Sequence, residues 1–164
     1  MSDGRYRISV FNALQASPLL PSKRRARLLR RFGFDIDPSV MIYENVFFGS
    51  RSIHIARDCF ISVGCFLDGS DDIHIGAGTS LGPQVKLITS THDPSDPKRR
   101  AGSMIKAPIV IGEGCWIGAG AILLPGVEIG QGCVIAAGAV VTASTLPHGV
   151  YAGMPATRKK DLPR

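Results

Sequence analysis

From residue 111 onward, aliphatic side chains return at every sixth position: Ile111, Ile117, Leu123, Ile129, Ile135 and Val141. A small residue follows most of them (Gly112, Gly118, Gly130, Ala136). The fourth place after each is small or β-branched: Cys115, Ala121, Val127, Cys133, Ala139 and Thr145. The same phase runs earlier through Ile36 and Ile42, then Ile55, Ile61, Leu67 and Ile73, then Ile75, Leu81 and Leu87. A helix repeats near ~3.6 residues and a half-buried strand near ~2, so neither produces this spacing. A six-residue period predicts a coil of triangular section, in which each hexad supplies one short strand and one corner. Three hexads, about 18 residues, complete a turn. The aliphatic side chain points into the prism, and the small fourth residue fits beside the corner.

One turn cannot bury its own aliphatic face, so turns must stack as parallel ladders. Ile111 is then expected beneath Ile129, and Cys115 beneath Cys133. That stacking accounts for Cys59, Cys65, Cys115 and Cys133 as small buried side chains. They show no CxxC or Cys/His ligand spacing.

Two interruptions break the period. Two extra residues enter at Asp68–Asp72, and a polar, proline-bearing segment runs from Thr89 to Pro108. Insertions leave a solenoid as loops, often on its binding face. A loop of that length in a compact domain is usually functional. Ahead of the coil, the pattern predicts a helix with Ser22 as N-cap, an apolar edge of Leu28, Leu29 and Phe32, and a stop at Gly33. An earlier helix is expected over roughly Tyr6 to Ala16. The second helix should plug the open end of the prism and hide its first strand edges. The expected organisation is a helical extension over 1–33, a coil domain over 34–160 carrying the loop 89–108, and a tail over 161–164.

Charge changes this picture at one end only. Of 164 residues, the first 33 hold eight basic groups against Asp3 alone, whereas the remainder holds 11 basic and 12 acidic groups. The basic stretch reads as a solvated helix face or as a weak contact for anionic glycans, phospholipid headgroups or other phosphates. No aromatic stacking pattern accompanies it, so nucleic acid is not an expected partner. No run approaches the ~18 apolar residues of a membrane span. The absence of an export signal, together with four cysteines, predicts a reducing cytoplasm.

The hexads, the segment Thr91-His92-Asp93-Pro94, the run Ile111-Gly-Glu-Gly-Cys-Trp-Ile-Gly, Leu124-Pro125-Gly126-Val127 and Gly153-Met154-Pro155-Ala156 resemble the maltose/galactoside/nodulation O-acetyltransferase group over about residues 34–160. The Arg-rich helix followed by Gly33-Phe34-Asp35-Ile36 is more similar to the polysaccharide-linked members. The resemblance implies an all-β fold, a left-handed parallel β-helix with a short helical extension. It also implies acetyl-CoA as co-substrate, no metal, and a homotrimer with sites between subunits. The acceptor would be a hydroxyl on a sugar, glycan or glycosylated small molecule.

The family's catalytic base falls at His92. A neutral imidazole suits the task of taking a proton from an alcohol. Asp93 is a candidate to orient the ring, alongside a backbone carbonyl or a group from another coil. The resemblance places coenzyme contacts at Trp116, Ala119, Ala137 and Thr142. It places acceptor contacts at Ser62 and Ser70, with Asp71 next to the latter, and at Met104. Ala143 and Thr157 stand where the family carries basic residues, so Arg158, Lys159 and Lys160 are the candidates for the coenzyme's phosphates.

Other readings compete. An amine of an amino sugar could replace the hydroxyl. A γ-class carbonic-anhydrase-like metal site would draw on His54, His74 and His92, one per coil, although no two histidines stand five residues apart. A non-catalytic β-helix scaffold is the third alternative. Alternation along Ile53-His54-Ile55 and Ile73-His74-Ile75 turns both histidines outward, as a surface or subunit-contact ladder.

Overall fold

The protein, a computed structural model, is described over residues 2–164, with side chains from Ile8 onward. The side chains of Asp3, Arg5, Tyr6 and Arg7 lie outside the described set. After two helices, α1 (Ser2–Ala16) and α2 (Ser22–Arg31), the chain winds as a left-handed parallel β-helix with three faces. The first face stacks Asp35–Ile36, Ile53–Ile55, Ile73–Ile75, Ile109–Ile111 and Glu128–Ile129. The second runs Met41–Ile42, Phe60–Ile61, Ser80–Leu81, Trp116–Ile117, Val134–Ile135, Gly149–Ala152 and Thr157–Asp161. The third stacks Phe47–Phe48, Phe66–Leu67, Lys86–Leu87, Ile122–Leu123 and Val140–Val141.

Each two-residue strand buries its second side chain and turns its first outward, so the hexad aliphatics form one continuous core. Ile111 pairs with Ile129, an 18-residue turn. The first two turns are longer: Asp35 pairs with His54, 19 residues on, and His54 with His74, 20 residues on. The extra residues enter at the edge from the third face to the first. There the following strands Ile53–Ile55 and Ile73–Ile75 each bury two isoleucines rather than one. The interruption at Asp68–Asp72 is thus absorbed in the wall of the prism and does not leave it as a loop. Cys59, Cys65, Cys115 and Cys133 are free and buried. The Cys59 and Cys115 thiols donate to the carbonyls of Gly76 and Gly130 at 3.1 and 3.2 Å.

The open end of a prism exposes a ring of unpaired strand groups, a hazard for edge-to-edge association. Here helical side chains satisfy them. Asn12 Nδ2 donates to the Phe48 carbonyl at 2.9 Å, while Asn12 Oδ1 accepts from Phe48 N at 3.1 Å. Gln15 Nε2 donates to Val46 O. Arg25 is only 2% exposed, and its guanidinium donates to the carbonyls of Gln15, Ser17 and Ile42. The expectation of a solvated basic helix face therefore fails at Arg25, which the carbonyls of Gln15 and Ser17, at the end of α1, and of Ile42, on the first coil, hold inside. Phe11, Phe34 and Phe48 fill the space beneath, with ring centroids 5.2–5.7 Å apart. Ser22 is not the N-cap of α2: Pro21 holds that place, and no side chain caps the helix. Gly33, at φ +88°, makes the left-handed turn that ends it.

At the other end, the chain folds back after a turn. Thr157–Asp161 pairs antiparallel with Gly149–Ala152 and covers the last edge of the second face. The boundary expected at residue 160 therefore lies inside a strand.

Candidate active site

The long insertion is a hairpin. Ser90–His92 pairs antiparallel with Met104–Lys106, in the register Ser90↔Lys106, Thr91↔Ile105 and His92↔Met104. Directly opposed residues share a face of the ladder. Met104, twelve positions downstream, is thus brought beside His92, and both are exposed. Residues 93–103 form the tip.

His92 is oriented from within this hairpin. Its Nδ1 lies 3.0 Å from the carbonyl oxygen of Gly102. A carbonyl can only accept, so Nδ1 carries the hydrogen, and in the neutral ring Nε2 keeps its lone pair. Gly102 is itself fixed by its N–H to the Asp93 carbonyl at 3.0 Å, and Asp93 N returns a bond to Ser103 O. The Asp93 carboxylate does not touch the ring; it accepts from Ser95 N at 2.9 Å. The orienting group is thus the backbone, not the neighbouring acid.

The hairpin's root is held by a residue that sequence reasoning passed over, Asp68. One of its oxygens accepts from Thr89 N, Thr89 Oγ1 and Ser90 Oγ at 2.9–3.0 Å, and the other from Ser70 Oγ at 2.9 Å. Partial burial pushes its carboxyl up, but the bonds from Ser90, Ser70 and Thr89 outweigh this and hold it below the ordinary carboxylate range. Asp71 N donates to Thr89 Oγ1 at 3.1 Å. Ser70, Asp71 and His92 therefore belong to one edge of the prism, between the third and first faces. Thr142 starts a later corner of the same edge. The signal for Asp68 lay in the broken hexad itself, which placed polar groups where a corner residue was due.

The other expected contacts sit elsewhere. Ser62, Ala119 and Ala137 occupy the corners between the second and third faces, where Gly138 N bonds to Ala119 O at 2.8 Å. Ser62 is buried; Ala119 and Ala137 are exposed. A Cβ added at Gly120 or Gly138 would meet nothing within 4 Å, so this edge is open along its length. Trp116, 59% exposed, stands on the outer side of the second face. Its ladder continues through Val134 and Val150 to Lys160. Arg158 is occupied: its guanidinium donates to the Leu146, Pro147 and His148 carbonyls and to Tyr151 Oη, and pairs with Asp161. Hydrogen bonding to Tyr151 and then to Asp161 raises its pKa further.

His54 and His74 stack outward on the first face, ring centroids 4.6 Å apart, with Asp35 accepting from His54 Nδ1 at 3.0 Å. Their parallel planes do not converge on a point, and His92 stands on the hairpin. Among the described residues no group of three or more His, Cys, Asp or Glu side chains gathers as a metal site.

The model of the bacterial transferase hexapeptide, six repeats, matches residues 108–143. The whole described coil repeats that geometry, and it superimposes on a maltose O-acetyltransferase from Clostridium difficile with a TM-score of 0.81 at 28% identity, covering 99% of this chain and 88% of that one. The chain belongs to the hexapeptide-repeat family. A second family structure, a hexapeptide-repeat acetyltransferase from Vibrio cholerae complexed with acetyl coenzyme A, gives a TM-score of 0.84 at 26% identity, with 99% and 88% coverage. Nodulation protein L of Rhizobium meliloti is 43% identical over 106 residues, 64% of this chain and 57% of that protein. This hexapeptide-repeat chain spans less than three fifths of that relative's length. Among its described residues, no helix is long and apolar enough to cross a membrane.

Proposed function

We propose that this protein transfers an acetyl group from acetyl-CoA to a hydroxyl of a sugar, glycan or glycosylated small molecule, with His92 as general base. One observation carries the reading: the Gly102 carbonyl fixes Nδ1–H, so the exposed Nε2 is the basic nitrogen, beside Met104 on the same hairpin face. In the step, Nε2 takes the acceptor's hydroxyl proton as its oxygen attacks the thioester carbonyl. The carbon–sulfur bond breaks, and the imidazolium returns its proton to the departing sulfur. An ester and a free thiol result, and His92 is neutral again.

The assembly follows from the split of residues. His92 and the small-residue corners of Ala119 and Ala137 lie on different edges of one prism, separated by the width of the third face. A six-residue side at ~3.3 Å per residue is roughly 15–20 Å wide, far beyond the ~3 Å reach of a general base. A closed homotrimer resolves this by setting one copy's hairpin against the next copy's open edge. Exposed Trp116 then meets the coenzyme or the neighbouring subunit, Thr142 and Lys160 extend the coenzyme track, and Ser62, Ser70, Asp71 and Met104 shape the acceptor side. Lys159 and Lys160 supply the phosphate contacts, because Arg158 is bound to its own chain's carbonyls. Four free buried cysteines fit the reducing cytoplasm.

The test is thiol release from acetyl-CoA against a panel of sugars and glycosides, run beside His92→Ala. Acceptor-dependent release that disappears in the variant supports the reading. Release that survives removes His92 as base, and no release with no coenzyme binding favours a scaffold.

A further inference from the structure

The cap carries a surface that the acyltransfer reading does not use. α2 rests on the first coil through Arg25, Ala26 and Leu29, so its opposite side points away from the solenoid. Lys23, Arg24, Arg27, Arg30 and Arg31 are all exposed on that side. Their spacings of three, four and seven residues put them on one helical face. No acid lies on α2. Among the described residues, Lys23, Arg24, Arg27 and Arg31 form no ion pair. Arg30 partly serves Asp37, whose carboxyl is held low by its Ser39 bonds first and by Arg30 and Arg57 after them.

A second feature precedes this face in the chain. In the turn Pro18-Leu19-Leu20-Pro21, which leads directly into α2, Leu19 is 91% exposed. Leu14, in the last turn of α1, is also exposed. A soluble polyanion would reward the cations but leave Leu19 in water. An anionic bilayer rewards both, because headgroups meet the cations while a protruding leucine enters the acyl boundary.

We infer that the α1–α2 cap docks this protein on an anionic lipid bilayer, with Lys23, Arg24, Arg27 and Arg31 against the headgroups and Leu19 inserted. The contact is peripheral and reversible, since one helix face and one leucine provide far less than a spanning segment. It places the last coils, at the far end of the prism, away from the lipid.

The intact protein is sedimented with vesicles of neutral phosphatidylcholine and with vesicles containing about one third anionic phosphatidylglycerol. Binding is expected to the anionic vesicles only and to weaken as salt rises. At about fivefold per charge, the variant combining Lys23→Gln, Arg24→Gln, Arg27→Gln and Arg31→Gln loses about a hundredfold or more. Leu19→Ser loses about tenfold and keeps the wild-type melting temperature, because it changes only an exposed side chain. His92→Ala binds vesicles like the wild type, which separates this inference from the proposed chemistry. No sedimentation, or equal sedimentation with neutral vesicles, overturns the inference. So does binding to a soluble anionic polysaccharide that matches the vesicles in affinity and ignores Leu19→Ser; that result assigns the face to a glycan.

Discussion

The two edges that flank the third face use the same six-residue geometry for opposite ends. Between the third and first faces, the corner is crowded with polar groups that satisfy one another: Asp68 gathers Ser70, Thr89 and Ser90, and the hairpin rising from that knot holds His92 against Gly102. Between the second and third faces, the corners are Ala119, Gly120, Ala137 and Gly138, with exposed methyl groups and open space. A group that must act on a proton has to be held in one orientation by neighbours. A surface that receives a long flexible substrate has to offer close approach and exposed backbone. The difference teaches that substitutions on the first edge should act through orientation, and those on the second through space.

The largest expected effect is at the oriented ring. His92→Ala should lower kcat by about 10²–10⁴-fold with the KM for acetyl-CoA little changed, as read by thiol release.

A change inside the small-residue edge should act on the fold instead. A Cβ at Gly118 would lie 2.5 Å from Ala137 N and 2.8 Å from the Ala136 carbonyl carbon of the next turn. Gly118→Ala should therefore cost about 1–3 kcal/mol in denaturant unfolding. Gly120→Ala, two residues on, meets nothing within 4 Å and bears only its positive φ of +67°. Its cost should be about 1 kcal/mol. Equal losses at both sites would mean that turn-to-turn contact is not what the first glycine protects.

Asp68→Asn should cost about 1–2 kcal/mol and raise proteolysis of the 89–108 hairpin relative to the coil. The sign with pH follows from the depressed carboxyl. A group held low stabilises the folded state above its unfolded value, and that stabilisation disappears as pH falls through the folded value. Acid should loosen the wild-type hairpin root, and the variant should show less of this acid dependence in melting experiments.

The smallest effect is a silence. Burial pushes the Cys65 and Cys115 thiols up to about 11, and Cys133 is buried beside Cys115. Thiol reagents at neutral pH should label none of the core cysteines until the protein unfolds. Rapid labelling of the native protein would show that the coil opens at one of its edges.

Much of the coil was legible in the chain because the hexad repeats one local rule. Ile111 beneath Ile129, the inward isoleucines and outward histidines of the first face, and the cysteines as core fillers all follow from a period that each residue obeys separately. Positions whose role depends on a distant partner were not legible in that way. Arg25 looks like its cationic neighbours until the Ile42 carbonyl is beside it, and Arg158 looks like a phosphate ligand until three carbonyls and Tyr151 surround it.

The sequence by itself determined the triangular coil, its hexad core and the place of the insertion, because spacing and residue type carry that information locally; it also put a histidine, His92, at the start of that insertion. Only the tertiary structure decided that the insertion is a hairpin, that Met104 faces His92, and that Asp68 anchors the root. It also decided that a backbone carbonyl rather than Asp93 orients the ring. The physical reason is that a hydrogen bond is set by where two groups end up, and pairing across a turn or a loop is not written in either residue alone.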